Sequence, residues 1–205
     1  AITDHGAMYG VVDFYKEAKS RGIKPIIGCE LYVAARRMQD KEAQLDSNHS
    51  HLVLLAENET GYQNLTALSS LGYTEGFYYK PRIDKEALAA HSEGLIGLSA
   101  CLAGEIPQLL KQKRYQDALD TANAWDTLFG QGNFYLELQN HGLPGQKEIN
   151  ESLVNISRET GIPLVASNDV HYVNQADAEA HEVLLCIQTG KTIEDANRLS
   201  FETSE

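Results

Sequence analysis

Acidic and histidine side chains follow apolar runs of the sequence at the points where strands are expected to end. Asp169 and His171 come just after the run at 162–166, and Asp4 and His5 come after the apolar residues that open the chain. Side chains just past the carboxyl ends of parallel strands can face one cavity. Carboxylate and imidazole together suit Zn, Mn or Fe. The pairs predict a metal site, with Asp169 as a turn cap and His171 at the surface as an equally weighted alternative.

Three further ligand-type residues lie between these pairs. Glu30 is embedded in an apolar strand sequence, where a carboxylate is costly unless it is paired or metal-bound, and we favour the metal over a core salt bridge. His51 opens a predicted strand, and His49 is a rival for the same role. Cys101 follows another apolar run, where a thiolate would bind Zn, although a lone cysteine there is more often packing.

Other polar residues receive weaker predictions. Asp4 is expected either to cap a helix or to orient His5. Lys80 and Arg82 flank a proline in an aromatic-rich loop, where they would neutralise a phosphate if a metal lay nearby and would otherwise be solvated. We assign Cys29 and Cys186 to the core and give no role to His91, His141 and His181, the last of which is expected to be a core or interface residue.

Composition limits the class of protein. The 205 residues, 42% of them apolar, are enough for one domain over 1–205, and the net charge of −12 argues against a broad electrostatic grip on nucleic acid. Three scattered cysteines predict no disulfide framework, a reducing compartment and a cytoplasmic location. No apolar run predicts a membrane span. Because the chain opens with Ala1 and ends at 201–205 without a closing helix, we expect a piece truncated at both ends of a longer chain.

Strand-type and helix-type segments alternate along the chain, which predicts an α/β fold with a largely parallel sheet. Residues 34–50 are predicted to form a mobile loop. Periodicity alone does not choose between a barrel and a doubly wound sheet. The predicted strands cover 23–33, 52–56, 95–98, 134–138 and 164–166, and the predicted helices cover 10–21, 60–71, 106–111, 115–129, 146–160 and 175–189.

Short segments in a fixed order carry a family resemblance over nearly the whole chain. They are Ile2-Thr3-Asp4-His5-Gly6, Gly28-Cys29-Glu30, His51-Leu52-Val53-Leu54-Leu55-Ala56, Gly61-Tyr62-Gln63-Asn64-Leu65, Gly76-Phe77-Tyr78-Tyr79-Lys80-Pro81-Arg82-Ile83, Ser99-Ala100-Cys101-Leu102, Phe134-Tyr135-Leu136-Glu137 and Asn168-Asp169-Val170-His171-Tyr172. They resemble the polymerase and histidinol phosphatase (PHP) domain. The segments at 61–65 and 77–82 resemble in particular the branch found in alpha subunits of bacterial DNA polymerase III.

The resemblance implies a fold and a ligand set. The fold would be a distorted (β/α)7 TIM-like barrel, incomplete here because the family's first His-x-His strand lies upstream of Ala1. Two to three Zn or Mn ions, with Mg or Fe as alternatives, would be held by His5, Glu30, His51, Cys101, Asp169 and His171. Without the upstream strand, this piece is expected to bind metal weakly.

The resemblance also implies a function. It is that of a DNA-directed DNA polymerase carrying a metal-dependent phosphoesterase domain, with 3′→5′ proofreading exonuclease as the specific form and Glu30, Asp169, Lys80 and Arg82 as catalytic residues. The implied partners are DNA, through the full polymerase, the sliding clamp and a separate exonuclease subunit. The alternatives are a non-catalytic docking module, a pyrophosphatase and a small-molecule phosphatase of the histidinol-phosphate type.

Overall fold

A computed structural model describes residues 1–198, and the expectation about residues 201–205 lies outside this range. The strands are β1 Gly28–Ala34, β2 His49–Ala56, β3 Arg82–Ile83, β4 Leu95–Leu98, β5 Phe134–Leu138 and β6 Leu164–Ala166. The helices are α1 Val11–Ser20, α2 Ala43–Asp46, α3 Glu59–Thr74, α4 Lys85–Ala90, α5 Glu105–Lys111, α6 Tyr115–Phe129, α7 Gln146–Thr160 and α8 Ala178–Thr189, the last preceded by a 3₁₀ turn at Gln175–Asp177. The predicted bounds of β4, β5, β6, α6 and α7 are confirmed.

The strands form one six-stranded mixed sheet in the order β3-β1-β2-β4-β5-β6. β1 pairs in parallel with β3, and β4, β5 and β6 are parallel to one another. β2 is antiparallel to both β1 and β4, so the expectation of a largely parallel sheet is wrong at this strand. The connection from β1 to β2 contains only the short helix α2, and such a return suits an antiparallel partner. Closure of these strands into a barrel remains a prediction.

Alternating residues of each strand face opposite sides of the sheet, which separates the core from the candidate site. On one side, Leu31, Leu54 and Phe134 belong to the main apolar core beneath the helices. Trp125 and Phe129 of α6 stack on Phe134 with ring centroids 6.3 and 6.0 Å apart. The other side carries a smaller apolar cluster of Val53, Leu98 and Ala100, packed against Leu55, Ile96, Tyr135 and Val165. Polar side chains emerge on this second side.

Burial is uneven along β6 and α1. Leu164 of β6 is 38% exposed, because within residues 1–198 this edge strand pairs only with β5. In α1, Val12 and Tyr15 are exposed whereas Ala18 is buried. The helix packs through Val11 and Ala18, seven residues apart, which is a narrower buried stripe.

Buried charged side chains hold the segment from 34 to 50, which its composition predicts to be a mobile loop and which contains helix α2. Arg82 is fully buried, and Arg36 donates to both carboxylate oxygens of the buried Asp46 at 2.9 and 2.6 Å. Arg82 itself donates to main-chain carbonyl oxygens of Gly76 (3.2 Å), Asp46 (2.8 Å), Met38 (3.1 Å) and Asp40 (2.9 Å). These bonds fix the connection between β1 and β2.

Across residues 1–198, no helix has both the length and the apolar character needed to cross a membrane.

Candidate metal centre

The backbone places His5 beside Glu30. The segment that opens the chain runs parallel to β1, with the amide of Gly6 donating to the Glu30 carbonyl at 2.8 Å and the amide of Glu30 donating to the Asp4 carbonyl at 3.0 Å. Glu30 lies on the side of β1 opposite Cys29 and Leu31, which face the main core. Its carboxylate therefore enters the second side of the sheet next to the ring of His5.

Glu30 accepts from two histidine rings. His5 Nδ1 lies 2.6 Å from Glu30 Oε2, and His51 Nδ1 lies 2.6 Å from Glu30 Oε1. Ligand atoms of the three residues lie within 4.8 Å of one another, which is close enough to hold a metal ion. Burial by itself would raise the pKa of Glu30, but the hydrogen bonds from His5 and His51 outweigh it and hold the pKa at about 2. The hydrogen bond between His5 and Glu30 also raises the pKa of His5.

Cys101 lies beside His51 and Glu30 in this cluster. Its Sγ lies 3.7 Å from His51 Nδ1 and 4.0 Å from Glu30 Oε1. The loop after β4 is pinned to β2 because the His51 amide donates to the Ala103 carbonyl at 3.0 Å. Burial raises the pKa of the Cys101 thiol to about 12, with the charges of Glu30 and Asp169 adding to the effect. A metal would have to displace the proton to bind the thiolate.

His171 meets His5 from the far end of the chain. The Nε2 atoms of the two rings are 3.3 Å apart, and His171 Nδ1 donates to the Asp169 carbonyl oxygen at 2.6 Å. With the proton of each neutral ring on Nδ1, both Nε2 atoms would be able to bind one cation. Two nitrogens bound to tetrahedral zinc at about 2.0–2.1 Å would lie about 3.3 Å apart. The donor set therefore fits a metal.

Asp169 lies within electrostatic range of the cluster, because its negative charge contributes to raising the pKa of both His5 and Cys101. Its backbone has φ of 47°, a left-handed conformation that is strained for a residue with a side chain. Ala100, which precedes Cys101, has φ of 62°, and Tyr79, which precedes Lys80, has φ of 59°. Strain of this kind clusters at functional sites.

The structure places Lys80 and Arg82 in different surroundings. Lys80 Nζ lies 5.4 Å from the centroid of the Tyr32 ring, whose centroid is 5.3 Å from that of His51, and the lysine charge opposes the rise in the pKa of His5. Lys80 is thus beside the cluster. Arg82 is not brought to it, because its guanidinium is buried among the main-chain carbonyls that fix the 34–50 segment.

The remaining predicted residues lie around the cluster. The ring of His49 stacks on that of His51 with centroids 6.0 Å apart, so the rival ligand is a neighbour of the same site. α1 begins at Val11 without a side-chain cap, so Asp4 does not cap it. His181 was given no role, yet its ring centroid is 5.6 Å from that of His171. Cys29 and Cys186 are buried, as expected for core residues.

Glu137 is a buried carboxylate that the sequence analysis did not single out. It lies in β5 on the side opposite Leu136, and burial raises the pKa of its carboxyl group, with the charges of Asp169 and Glu30 adding to the effect. The signal was available, because an acidic residue within the apolar run Phe134–Leu138 is the same anomaly that marked Glu30.

The chain is similar to known proteins along its whole length. The sequence profile described as the PHP domain matches residues 1–141. The chain is 52% identical over 206 residues to the DNA polymerase III subunit alpha of Borreliella burgdorferi, covering 100% of this chain and 18% of that protein. The subunits named alike from Treponema pallidum and Thermus aquaticus are each 50% identical, again over 100% of this chain and over 18% and 17% of their own lengths.

The chain thus spans less than a fifth of the length of these relatives, which match it along its whole length. The matched profile includes His5, Glu30, His51 and Cys101, which are residues that the structure gathers on one side of the sheet. The chain belongs to the PHP domain family.

Proposed function

We propose that this chain is the metal-dependent phosphoesterase domain of a bacterial replicative DNA polymerase, and that it acts as a 3′→5′ proofreading exonuclease. The observation that carries the proposal is the joint approach of His5, His51 and Cys101 to the buried carboxylate of Glu30. Metal dependence is the common property of PHP domains. The likeness to DNA polymerase subunits is the reason to propose a nucleic-acid substrate.

The donor set favours Zn or Mn. A mixture of imidazole, carboxylate and thiol is typical of transition-metal sites, and the thiol of Cys101 favours Zn in particular. Mg and Fe are the weaker candidates. Glu30, which presents one oxygen to His5 and the other to His51, would be a carboxylate ligand of the bound metal. His5 and His171 would hold one ion, and Asp169 would bind another.

When bound, the metal would supply a Lewis acid that lowers the pKa of water and neutralises charge on a phosphodiester. The residues of this chain orient that chemistry. The Nδ1–H of His171 is fixed by the Asp169 carbonyl, which directs Nε2 toward His5. Lys80, at the rim beside Tyr32, supplies the positive charge that would meet the scissile phosphate. Arg82 is left out of the mechanism because its donors are already engaged.

The whole protein is proposed to be a cytoplasmic DNA polymerase that contacts DNA, a sliding clamp and other replicase subunits, on the strength of its likeness to DNA polymerase III alpha subunits. These partners lie outside what the present chain alone contains.

The test is Asp169→Asn in the full-length gene product, with Glu148→Asn, a substitution in the first turn of α7, as the control. We expect the first variant to lose release of nucleotides from a labelled single-stranded 3′ end while nucleotide addition is unchanged, and the control to retain both. Undiminished 3′ release by Asp169→Asn would contradict the exonuclease. If wild-type protein releases no nucleotide and chelation only lowers its melting temperature, the docking-module alternative is favoured.

A further inference from the structure

Glu137 joins two loops that each carry a candidate metal ligand. Its main-chain amide donates to Ser99 Oγ at 2.8 Å, and its carboxylate Oε1 accepts a hydrogen bond from Ser167 Oγ. Gln139 Nε2 donates to the same oxygen at 3.1 Å. Ser99 follows β4 and Ser167 follows β6, and these strands flank β5 on its two sides. One residue in the middle strand therefore holds the loops on both sides.

The two loops are built alike. Cys101 lies two residues after Ser99, and Asp169 lies two residues after Ser167. Each loop also contains a left-handed residue with a side chain, Ala100 at φ 62° and Asp169 itself at φ 47°. Conformations of this kind persist only where the surroundings hold them. The serine bonds to Glu137 are such a constraint, one residue before Ala100 and two residues before Asp169.

The second carboxylate oxygen of Glu137 has no such partner. Glu137 is 5% exposed, and among residues 1–198 its Oε2 is buried without a hydrogen bond. A buried carboxylate oxygen that lacks a donor is costly for the folded protein. The same carboxylate is within electrostatic range of Glu30, Asp169 and Cys101. The cost is offset if positive charge enters the neighbouring centre.

We propose that Glu137 is a positioning residue of the metal centre, which holds the loop of Asp169 through its carboxylate and Ser167 and the loop of Cys101 through its main-chain amide and Ser99. It lies outside the group of ligand atoms formed by His5, Glu30 and His51, so it acts through the ligands. The inference rests on the metal centre of the proposed function, but not on the reaction. Outer residues that orient metal ligands typically change metal affinity by about 10–100-fold.

The experiment measures Zn²⁺ affinity by competition with a chromophoric chelator and the melting temperature in excess chelator. It uses the full-length gene product as wild type, Glu137→Gln, Ser167→Ala and Asp46→Asn. Glutamine keeps the size of the side chain and removes its charge. Asp46 is the matched control, since it is also a fully buried carboxylate but pairs with Arg36 in the 34–50 segment.

We expect Glu137→Gln to weaken Zn²⁺ binding by about tenfold or more, and Ser167→Ala to weaken it less, as for other outer residues of metal sites. In chelator, Glu137→Gln should melt at the wild-type temperature or above it, because the buried carboxylate oxygen that lacks a hydrogen-bond donor among the residues that the structure describes is gone. Asp46→Asn should melt lower and bind Zn²⁺ normally.

Two results would overturn the assignment of Glu137 alone. One is wild-type Zn²⁺ affinity in Glu137→Gln, and the other is a loss of melting temperature in chelator as large as that of Asp46→Asn, which would mark a structural role only. Absence of Zn²⁺ binding by the wild-type protein would overturn the metal centre itself, and with it both this assignment and the proposed function.

Discussion

Glu30 is the residue on which the centre depends. It is a buried carboxylate that has no lysine or arginine partner among residues 1–198, and two histidine rings supply its hydrogen bonds instead. Those bonds hold its pKa at about 2 against the effect of burial, so the group is ionised at neutral pH. A buried anion surrounded by imidazole and thiol is the arrangement expected of a metal ligand.

Glu30→Gln should therefore reduce metal binding more than any outer substitution. The carboxamide removes the negative charge, and its nitrogen cannot accept from His5 or His51. We expect Zn²⁺ affinity to fall by more than about 100-fold, beyond the range typical of outer residues, as measured by competition titration. Glu17→Gln, which alters an exposed acid paired with Arg21 in α1, is the control and should bind normally. Full metal content in Glu30→Gln would refute the ligand assignment.

Acid stability has a separate origin in Asp46. The hydrogen bonds from Arg36 are the main cause that lowers the pKa of Asp46 to about 2. Because the pKa is lower in the folded than in the unfolded chain, where it is about 3.9, the stabilisation is complete above about pH 4 and is lost as pH falls toward about 2. Urea unfolding of Asp46→Asn should show a weaker decline of stability between pH 4 and pH 2 than wild type. An identical decline would contradict this cause.

At the scale of single residues, the sequence was sufficient where burial and charge conflict. Glu30 was recognisable because an acidic residue in an apolar strand needs a compensating partner. Glu137 carries the same signal and was overlooked. Arg82 could not be placed, because a basic residue beside a proline is equally consistent with a phosphate contact and a core bond network. Only the three-dimensional course of the 34–50 segment shows that its donors meet main-chain carbonyls.

Among the elements, β1 and β2 do most to assemble the site. β1 supplies Glu30, and the opening segment of the chain, which runs parallel to β1, supplies His5. The antiparallel β2 brings His51 against them, with Tyr32 opposite His51 in the register. Strand positions such as β4 and β5 were predictable from apolar runs. The reversed direction of β2 was not, because a short apolar run carries no information about the direction of its partner.

Arg82 connects β3 to the segment between β1 and β2. Replacing it with alanine removes the donors to four main-chain carbonyl oxygens, and each buried group left unsatisfied costs about 1–3 kcal/mol. We expect Arg82→Ala to lower the free energy of unfolding by about 3 kcal/mol or more in urea titrations. Arg114→Ala, at an exposed pair with Asp117, should change it by less than about 1 kcal/mol.

If Arg82 instead contacts the phosphate of the substrate, Arg82→Ala would keep wild-type stability and lose the release of nucleotides from a 3′ end. That combination would contradict the structural role assigned here.

In the molecule as a whole, the centre joins distant parts of the chain. His5 and His171 are 166 positions apart and meet at 3.3 Å, so a metal held by both ties the opening segment to the region after β6. The family resemblance predicted this convergence, whereas helix and strand periodicity could not, because periodicity describes each element separately. The number of ions and the closure of the barrel depend on relations between elements that local patterns do not encode.

Metal binding should accordingly stabilise the folded protein. A ligand at about 100 times its dissociation constant adds about 2.7 kcal/mol if it binds only the native state. We expect Zn²⁺ to raise the melting temperature of the full-length gene product and a chelator to reverse the rise. The shift should be absent in Glu30→Gln and retained in Glu17→Gln. Equal shifts in both variants would place the stabilising metal elsewhere.

Anomalous diffraction from crystals of the full-length gene product, recorded at the Zn and Mn absorption edges, tests the central claim most directly. The account predicts at least one strong peak bonded to Glu30 and His51, with Cys101 in reach, and a peak between the Nε2 atoms of His5 and His171. Crystals grown with either metal that show no peak at these side chains would contradict it.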